Sequence, residues 1–153
     1  MLAPGDVAPE FEADAQDGTR LRLSQFRGSP LVLYFYPKAS SLGCTRESVS
    51  FAQLHDEFQA KGVRIVGISV DDVEQQKRFA ENCHLPFPLL SDANREIARS
   101  YGALGAFGLA KRVTFLIDAD GRISDVVDSF LPGPHSERAR QRWLQPGTGP
   151  PRR

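Results

Sequence analysis

Apolar positions along this chain switch between two patterns. Pro30 to Tyr36 (PLVLYFY) and Val63 to Val70 (VRIVGISV) are runs rich in β-branched, leucine and aromatic residues, as in strands covered on both faces. Between them Phe51, Leu54 and Phe58 recur at i, i+3 and i+7, which predicts a helix from about Cys44 to Ala60 with one apolar stripe, ended by Gly62. Phe11 to Ala15 and Thr19 to Leu23 flank Gln16-Asp17-Gly18, a hairpin signal, and Ser24 to Gly28 reads as a short helical turn. Asp71 or Asp72 caps a helix to about Cys83, with Pro86 helping to stop it. Ser91 to Asn94 leads into a further helix ending near Tyr101-Gly102. Arg112 to Ile117 and Arg122 to Val127 flank Asp118-Ala119-Asp120-Gly121, a second hairpin, and a last helix covers about Ser136 to Leu144.

The order is therefore a hairpin, a β-α-β unit, helices, and a β-β-α unit. A buried strand that crosses by a helix to a second buried strand forms a right-handed parallel unit, whereas the later hairpin adds antiparallel strands. The result is an α/β architecture with a mixed central sheet, helices on both faces and an N-terminal β-hairpin extension. That layout resembles the thioredoxin-like fold.

Composition narrows the class. With 153 residues, the chain is expected to form one domain over residues 1–145, and the Pro- and Gly-rich end, 146–153, reads as a tail. Nineteen basic residues balance nineteen acidic ones, which argues against a nucleic-acid or membrane-surface binder. Arg138, Arg140, Arg142, Arg152 and Arg153 make the C-terminal stretch basic, and they read as a solvated helix face plus a tail. No run has the length of a membrane span and no secretory signal is read at the start, so a cytoplasmic protein is expected.

Two cysteines, Cys44 and Cys83, are too few for a disulfide scaffold. Cys83-His84, Cys44 and His55 are metal-ligand types, but adjacent ligands on one helix point apart and no close cysteine pair exists, so no metal is expected. His55 and His135 read as helix-surface or capping residues. No Ser-His-Asp arrangement, phosphate-binding glycine loop or paired-carboxylate pattern stands out.

The stretch Tyr36 to Glu47 (YPKASSLGCTRE) runs from the C-terminal end of a buried strand into a helix. Ligands bind at that edge of open α/β sheets. A cysteine in the first helical turn meets unpaired N–H groups and the positive end of the helix dipole, both of which favour thiolate over thiol. A small oxidant is expected to reach the sulfur at this mouth. Cys44 is thus either a reactive thiol or one more buried inert cysteine. Ser41 either caps the helix or hydrogen-bonds a substrate oxygen. Gly43 lets the backbone come close to a small ligand, and Pro37 fixes the strand exit.

Pro37 to Glu47 resembles the motif P-x-x-x-T/S-x-x-C-T-x-E of the peroxiredoxins, and the nearest subgroup is the Q type, the bacterioferritin comigratory proteins. Gly5 to Phe11 (GDVAPEF), Phe87 to Asp92 (FPLLSD) and Arg112 to Asp118 (RVTFLID) are similar to the family's other signatures, in the same order. The resemblance implies a thiol-dependent peroxidase acting on hydrogen peroxide or alkyl hydroperoxides, recycled by thioredoxin or a similar thiol, with no cofactor. It implies that Cys44 is the peroxidatic cysteine and that Pro37, Ser41 and Arg112 complete its pocket. Arg112, a permanent cation, would favour the thiolate and hold peroxide oxygens; without the resemblance it reads as a surface charge beside Lys111. Glu47 either orients a pocket arginine or simply favours the helix start.

The chain departs from the pattern in two places. Ser41 replaces the usual threonine, which keeps the hydroxyl but loses the methyl that restricts it. Val49 stands where many Q-type members carry a second cysteine, so Cys83 is the only internal candidate to resolve the oxidised Cys44. Cys83 also shares a stripe with Val73 and Ala80, which reads as ordinary core; in that case an external thiol recycles a one-cysteine enzyme. Two further readings remain: a non-enzymatic redox sensor, and a disulfide reductase, which lacks its usual C-x-x-C here. The oligomeric state is read as monomer or weak dimer.

Overall fold

Along the strand Leu31–Phe35 every side chain is buried, yet successive residues serve different cores. Leu31, Leu33 and Phe35 face one side, Val32 and Tyr34 the other, as the two-residue repeat of a strand requires. The computed structural model describes residues 2–144; Met1 and the predicted tail lie outside the described residues.

Seven strands form one sheet: β1 (Glu12–Ala15), β2 (Arg20–Arg22), β3 (Leu31–Phe35), β4 (Arg64–Ser69), β5 (Leu89–Ser91), β6 (Val113–Ile117) and β7 (Ile123–Asp128). Their order is β2-β1-β5-β4-β3-β6-β7. β3, β4 and β5 are parallel neighbours, and the remaining pairs are antiparallel, so the sheet is mixed as expected. Helices α1 (Leu42–Ala60), α2 (Val73–Cys83) and α4 (Gly133–Trp143) pack on the face that holds Val32 and Tyr34. The short α3 (Glu96–Ser100) and the N-terminal segment cover the other face.

Local chemistry sets the boundaries. Gly62, at φ +75°, closes α1 with the paired bonds Val63 N–H to Phe58 O and Gly62 N–H to Gln59 O. Asp72 caps α2 by accepting from Gln75 N–H at 2.8 Å. Buried Asp92 accepts from the N–H groups of Ile97 and Ala98 and so starts α3.

Three sequence expectations need correction. β5 was not foreseen, because Leu89-Leu90 is a short apolar pair behind Pro86 and Pro88. It is the strand that joins the N-terminal hairpin to the sheet. α1 starts at Leu42, two residues before the predicted point. α4 starts at Gly133, three residues early, because Pro134 sits in its first turn, where a missing N–H is no loss. The arginines of α4 pair as a solvated face should: Arg138 with Asp125, Arg140 with Glu137, Arg142 with Asp118.

Candidate active site

The turn from β3 into α1, residues 36–41, is pinned from β4's end. Asp71 Oδ2 accepts the Ala39 N–H at 2.7 Å and the Ser69 hydroxyl at 2.6 Å. Ser40 takes a left-handed conformation at φ +66°, uncommon for serine. Ser41 occupies the N-cap position, but its side chain does not cap the helix. Its hydroxyl donates instead to Lys38 O at 2.8 Å, because the tight 38–41 turn brings that carbonyl back beneath it. Pro37 is half-buried at the start of this turn.

Cys44 lies in the first turn of α1, where N–H groups precede the first intrahelical bond, Thr45 to Ser41. The residue is 0% exposed and belongs to the core of its face. The cramped but reachable mouth expected from the sequence is therefore closed at rest: the thiol is covered, and Leu42, two residues earlier, is 69% exposed at the surface. Both cysteines are free thiols.

Arg112 reaches the same place from far along the chain. Its neighbour Val113 pairs with Phe35 in the antiparallel β3–β6 register, so Arg112 stands beside the strand end from which the turn departs. It is 9% exposed, not a surface charge. Nη1 donates to Glu47 Oε1 at 2.9 Å. Nη2 lies over Gly43, where a Cβ would sit only 2.7 Å away. Glycine at 43 thus admits a protein guanidinium, a neighbour the sequence did not specify. Nε has no hydrogen-bond partner among the described residues.

Glu47 follows Cys44 by one turn, is fully buried, and orients the arginine rather than the helix start. Burial pushes its carboxyl up to about 8, although Arg112 pulls the other way. Its second oxygen, Oε2, lies 3.4 Å from His135 Nδ1. His135 is the residue whose place the sequence reading missed. The sequence reads it as a helix-surface or capping residue, but the early start of α4 turns it inward and leaves it without exposed surface. Its Nδ1 is 2.8 Å from the Thr114 hydroxyl, and Nε2 is 2.8 Å from Ser129 O. The signal available in the sequence was Gly133-Pro134, a helix opening two positions ahead of His135.

Tyr34 and Tyr36 complete the surroundings. The Tyr34 hydroxyl is 2.7 Å from Ser48 Oγ, and Tyr36 donates to Gln76 Oε1 at 2.5 Å. Burial holds both phenols far above their ordinary range, so they stay neutral. Gln76 in turn donates to Ser69 and to Leu90 O, tying α2 to the strand ends. Cys83 closes α2 and is half-buried against the same core, with Ala80 buried and Val73 half-exposed along its stripe. Burial raises its thiol. The next residue, His84, is left-handed and ends the helix.

Residues 4–126 match the AhpC/TSA family. The chain is 38% identical over 151 residues to "Peroxiredoxin Bcp" of Escherichia coli, covering 94% of this chain and 96% of that protein. The crystal structure of peroxidoxin BcpB from Mycobacterium tuberculosis superposes with a TM-score of 0.85 at 41% identity, over 91% of this chain and 94% of that one. A bacterioferritin comigratory protein of Xanthomonas campestris, whose structures concern alkyl peroxide reduction, gives a TM-score of 0.81 at 27% identity, over 91% and 92% of the two chains. With a helix-start cysteine in a thioredoxin-like fold, these likenesses settle the class: the chain belongs to the AhpC/TSA family, as a peroxiredoxin of the Bcp and Q type, and is a thiol peroxidase.

Proposed function

We propose that Cys44 is the peroxidatic residue and that Arg112, Gly43, Ser41 and Pro37 form its pocket. The observation that carries this is the guanidinium of Arg112 lying over Gly43, at the helix N-terminus that bears Cys44. A fixed cation and free N–H groups there stabilise negative charge on sulfur and on a departing oxygen. The Cys44 thiolate attacks the terminal oxygen of the peroxide. An S–O bond forms as the O–O bond breaks, the leaving oxygen takes a proton, and water or an alcohol departs from a sulfenic acid. Glu47 holds the arginine in place.

Since Cys44 has no exposed surface, the 37–43 turn must open for peroxide to enter and again for the sulfur to be resolved. The Cys83 thiol then condenses with the sulfenic acid, giving a disulfide and water, and thioredoxin or a similar dithiol reduces that disulfide by exchange. Cys83 lies on the same face of the sheet, at a helix end that can fray. Hydrogen peroxide and alkyl hydroperoxides are both read as substrates, and the exposed Leu42 offers an apolar contact for the latter. The protein works as a monomer or weak dimer in the cytoplasm, where a reducing pool keeps both thiols free. Among the described residues no helix is long and apolar enough to cross a membrane.

Peroxide consumption coupled to thioredoxin and its reductase tests the assignment. Cys44→Ser abolishes turnover; turnover retained in that variant would refute the role of Cys44.

A further inference from the structure

Two buried polar atoms around Arg112 lack hydrogen bonds, Arg112 Nε and Glu47 Oε2. The first belongs to the pocket already described. The second faces His135, at 3.4 Å from Nδ1, and nothing in the proposed chemistry uses it. A Ser129 carbonyl only accepts, so His135 Nε2 carries a hydrogen. Nδ1 therefore holds either a lone pair or the second proton of an imidazolium. A lone pair on Nδ1 can accept from the Thr114 hydroxyl at 2.8 Å, but an ionised Oε2 facing it would be a buried charged oxygen with no donor. Placing one proton between them removes that conflict, whether it sits on Oε2 or on Nδ1.

We infer that His135 is a positioning residue for Cys44 chemistry: it shares one proton with Glu47, and that proton leaves the charge of Arg112 uncompensated toward the thiol. The inference rests on the peroxidase reading of Cys44. With the proton present, the Arg112–Glu47–His135 group carries one net positive charge, in either placement of the proton. With the proton gone, Glu47 cancels Arg112, and the pocket loses the field that holds negative charge at Cys44. The other charged and titratable groups facing this proton come from each packed element. Cys44 lies on α1, Tyr34 on β3, Asp128 on β7 and Arg138 on α4. Asp128 favours a charged His135, whereas Arg112 and Arg138 oppose it. Thr114 on β6 is neutral and serves as donor or acceptor to Nδ1 as the proton moves.

The test is the rate of Cys44 oxidation by hydrogen peroxide in a single turnover, followed over roughly pH 5–9. In the wild type the rate falls as the shared proton is lost, near the value of about 8 set by burial of Glu47. Glu47→Gln imitates the protonated acid, its amide oxygen accepting from Arg112 and its NH2 facing Nδ1, so the falling limb disappears. His135→Asn places an amide near Nδ1 that donates to Glu47 but holds no exchangeable acid proton. It stabilises the carboxylate, moves the limb down by about one unit, and slows the rate about twofold near neutrality and about tenfold near pH 9. A merely structural His135 would lower the rate only with the folded fraction and leave the limb in place, which would overturn the inference. The imidazole nitrogen resonances of His135 in the reduced wild type give an independent reading. They should titrate together with the limb, and flat resonances across this range would sink proton sharing. A wild type inert toward peroxide would instead refute the peroxidase reading, and the two failures are distinguishable.

Discussion

Gly43 lies directly beneath the Arg112 guanidinium, so close that a Cβ at 43 would stand 2.7 Å from Nη2. The obstacle is the far end of a flexible side chain, so a methyl group displaces the guanidinium instead of breaking the helix. Alanine also favours a helix over glycine by up to ~1 kcal/mol. Gly43→Ala is therefore expected to keep or raise the melting temperature while peroxide reduction falls about tenfold or more. Thermal melts and single-turnover oxidation on the same preparation check this. Full activity in a stable Gly43→Ala protein would show that the seat of Arg112 is immaterial.

Stability should depend on pH through Glu47. Burial raises its folded value to about 8, above the ordinary ~4.3 of an unfolded glutamate. Between those values the folded chain holds a proton that the unfolded chain releases, so the Glu47 contribution is present at low pH and lost as pH rises toward about 8. His135 acts oppositely. Burial lowers its folded value, so its contribution is present above the unfolded ~6.5 and lost as pH falls. Glu47→Gln removes the first dependence and leaves His135 to titrate beside a neutral amide, on the acid side of the range. The variant should gain on the wild type as pH rises, by about 1–2 kcal/mol in the mildly alkaline range, or roughly 2–8 °C in melting temperature. A constant gap between the two melting curves from acid to alkaline pH would contradict the buried-carboxyl argument.

The fate of the oxidised sulfur turns on Cys83. It ends α2 beside a left-handed residue, half-buried, with a thiol raised by its surroundings, so it is quiet until the helix end loosens. Mass analysis after one equivalent of peroxide should show a Cys44–Cys83 disulfide in the wild type. Cys83→Ser should accumulate oxidised Cys44 and inactivate faster in excess peroxide, as an unresolved sulfenic acid climbs the oxidation ladder. Undiminished thioredoxin-linked cycling in Cys83→Ser would make Cys83 a core residue and an external thiol the resolver.

The strands and long helices were legible because burial writes itself as period: PLVLYFY cannot be anything but covered on both faces, and Phe51 and Phe58 point α1 at the sheet. The mixed sheet followed from the order of those elements. Cys44 and Arg112 were legible as a pair only through a resemblance. The physics that joins them is the β3–β6 register, which no local pattern announces. β5 escaped because three residues behind two prolines carry no period. Ser41 looked like a cap because serine before a helix commonly is one, but a left-handed Ser40 gave its hydroxyl a nearer carbonyl. His135 was lost to a boundary error of three residues, enough to turn a buried ring into an apparent surface one. Glu47 reads from the sequence either as a partner for an arginine or as a charge favouring the helix start, and its complete burial depends on packing that sequence spacing does not reveal.

Access to Cys44 has a structural handle in Asp71. Its Oδ2 holds both the Ala39 N–H, inside the turn that leads into the Cys44 helix, and the Ser69 hydroxyl, which in turn accepts from Gln76 on α2. Because Cys44 is wholly covered, its reaction with a bulky alkylating reagent reports the opening of residues 37–43 and not the intrinsic reactivity of an exposed thiol. Asp71→Ala removes the anchor of the turn but leaves Cys44, Gly43 and Arg112 in place. Losing those bonds costs the closed form about 1–3 kcal/mol, of which only part is recovered by water, so alkylation of the reduced protein should speed up several-fold to about a hundredfold. Global stability should fall by a similar amount, since the unfolded chain lacks the same bonds, and the protein stays folded while the turn opens more often. Denaturant titration beside timed alkylation separates the two. Equal alkylation rates in Asp71→Ala and wild type would mean that the turn opens by a route that leaves the Asp71 bonds intact, and the gate would have to be sought at the α1 end of the turn, around Leu42.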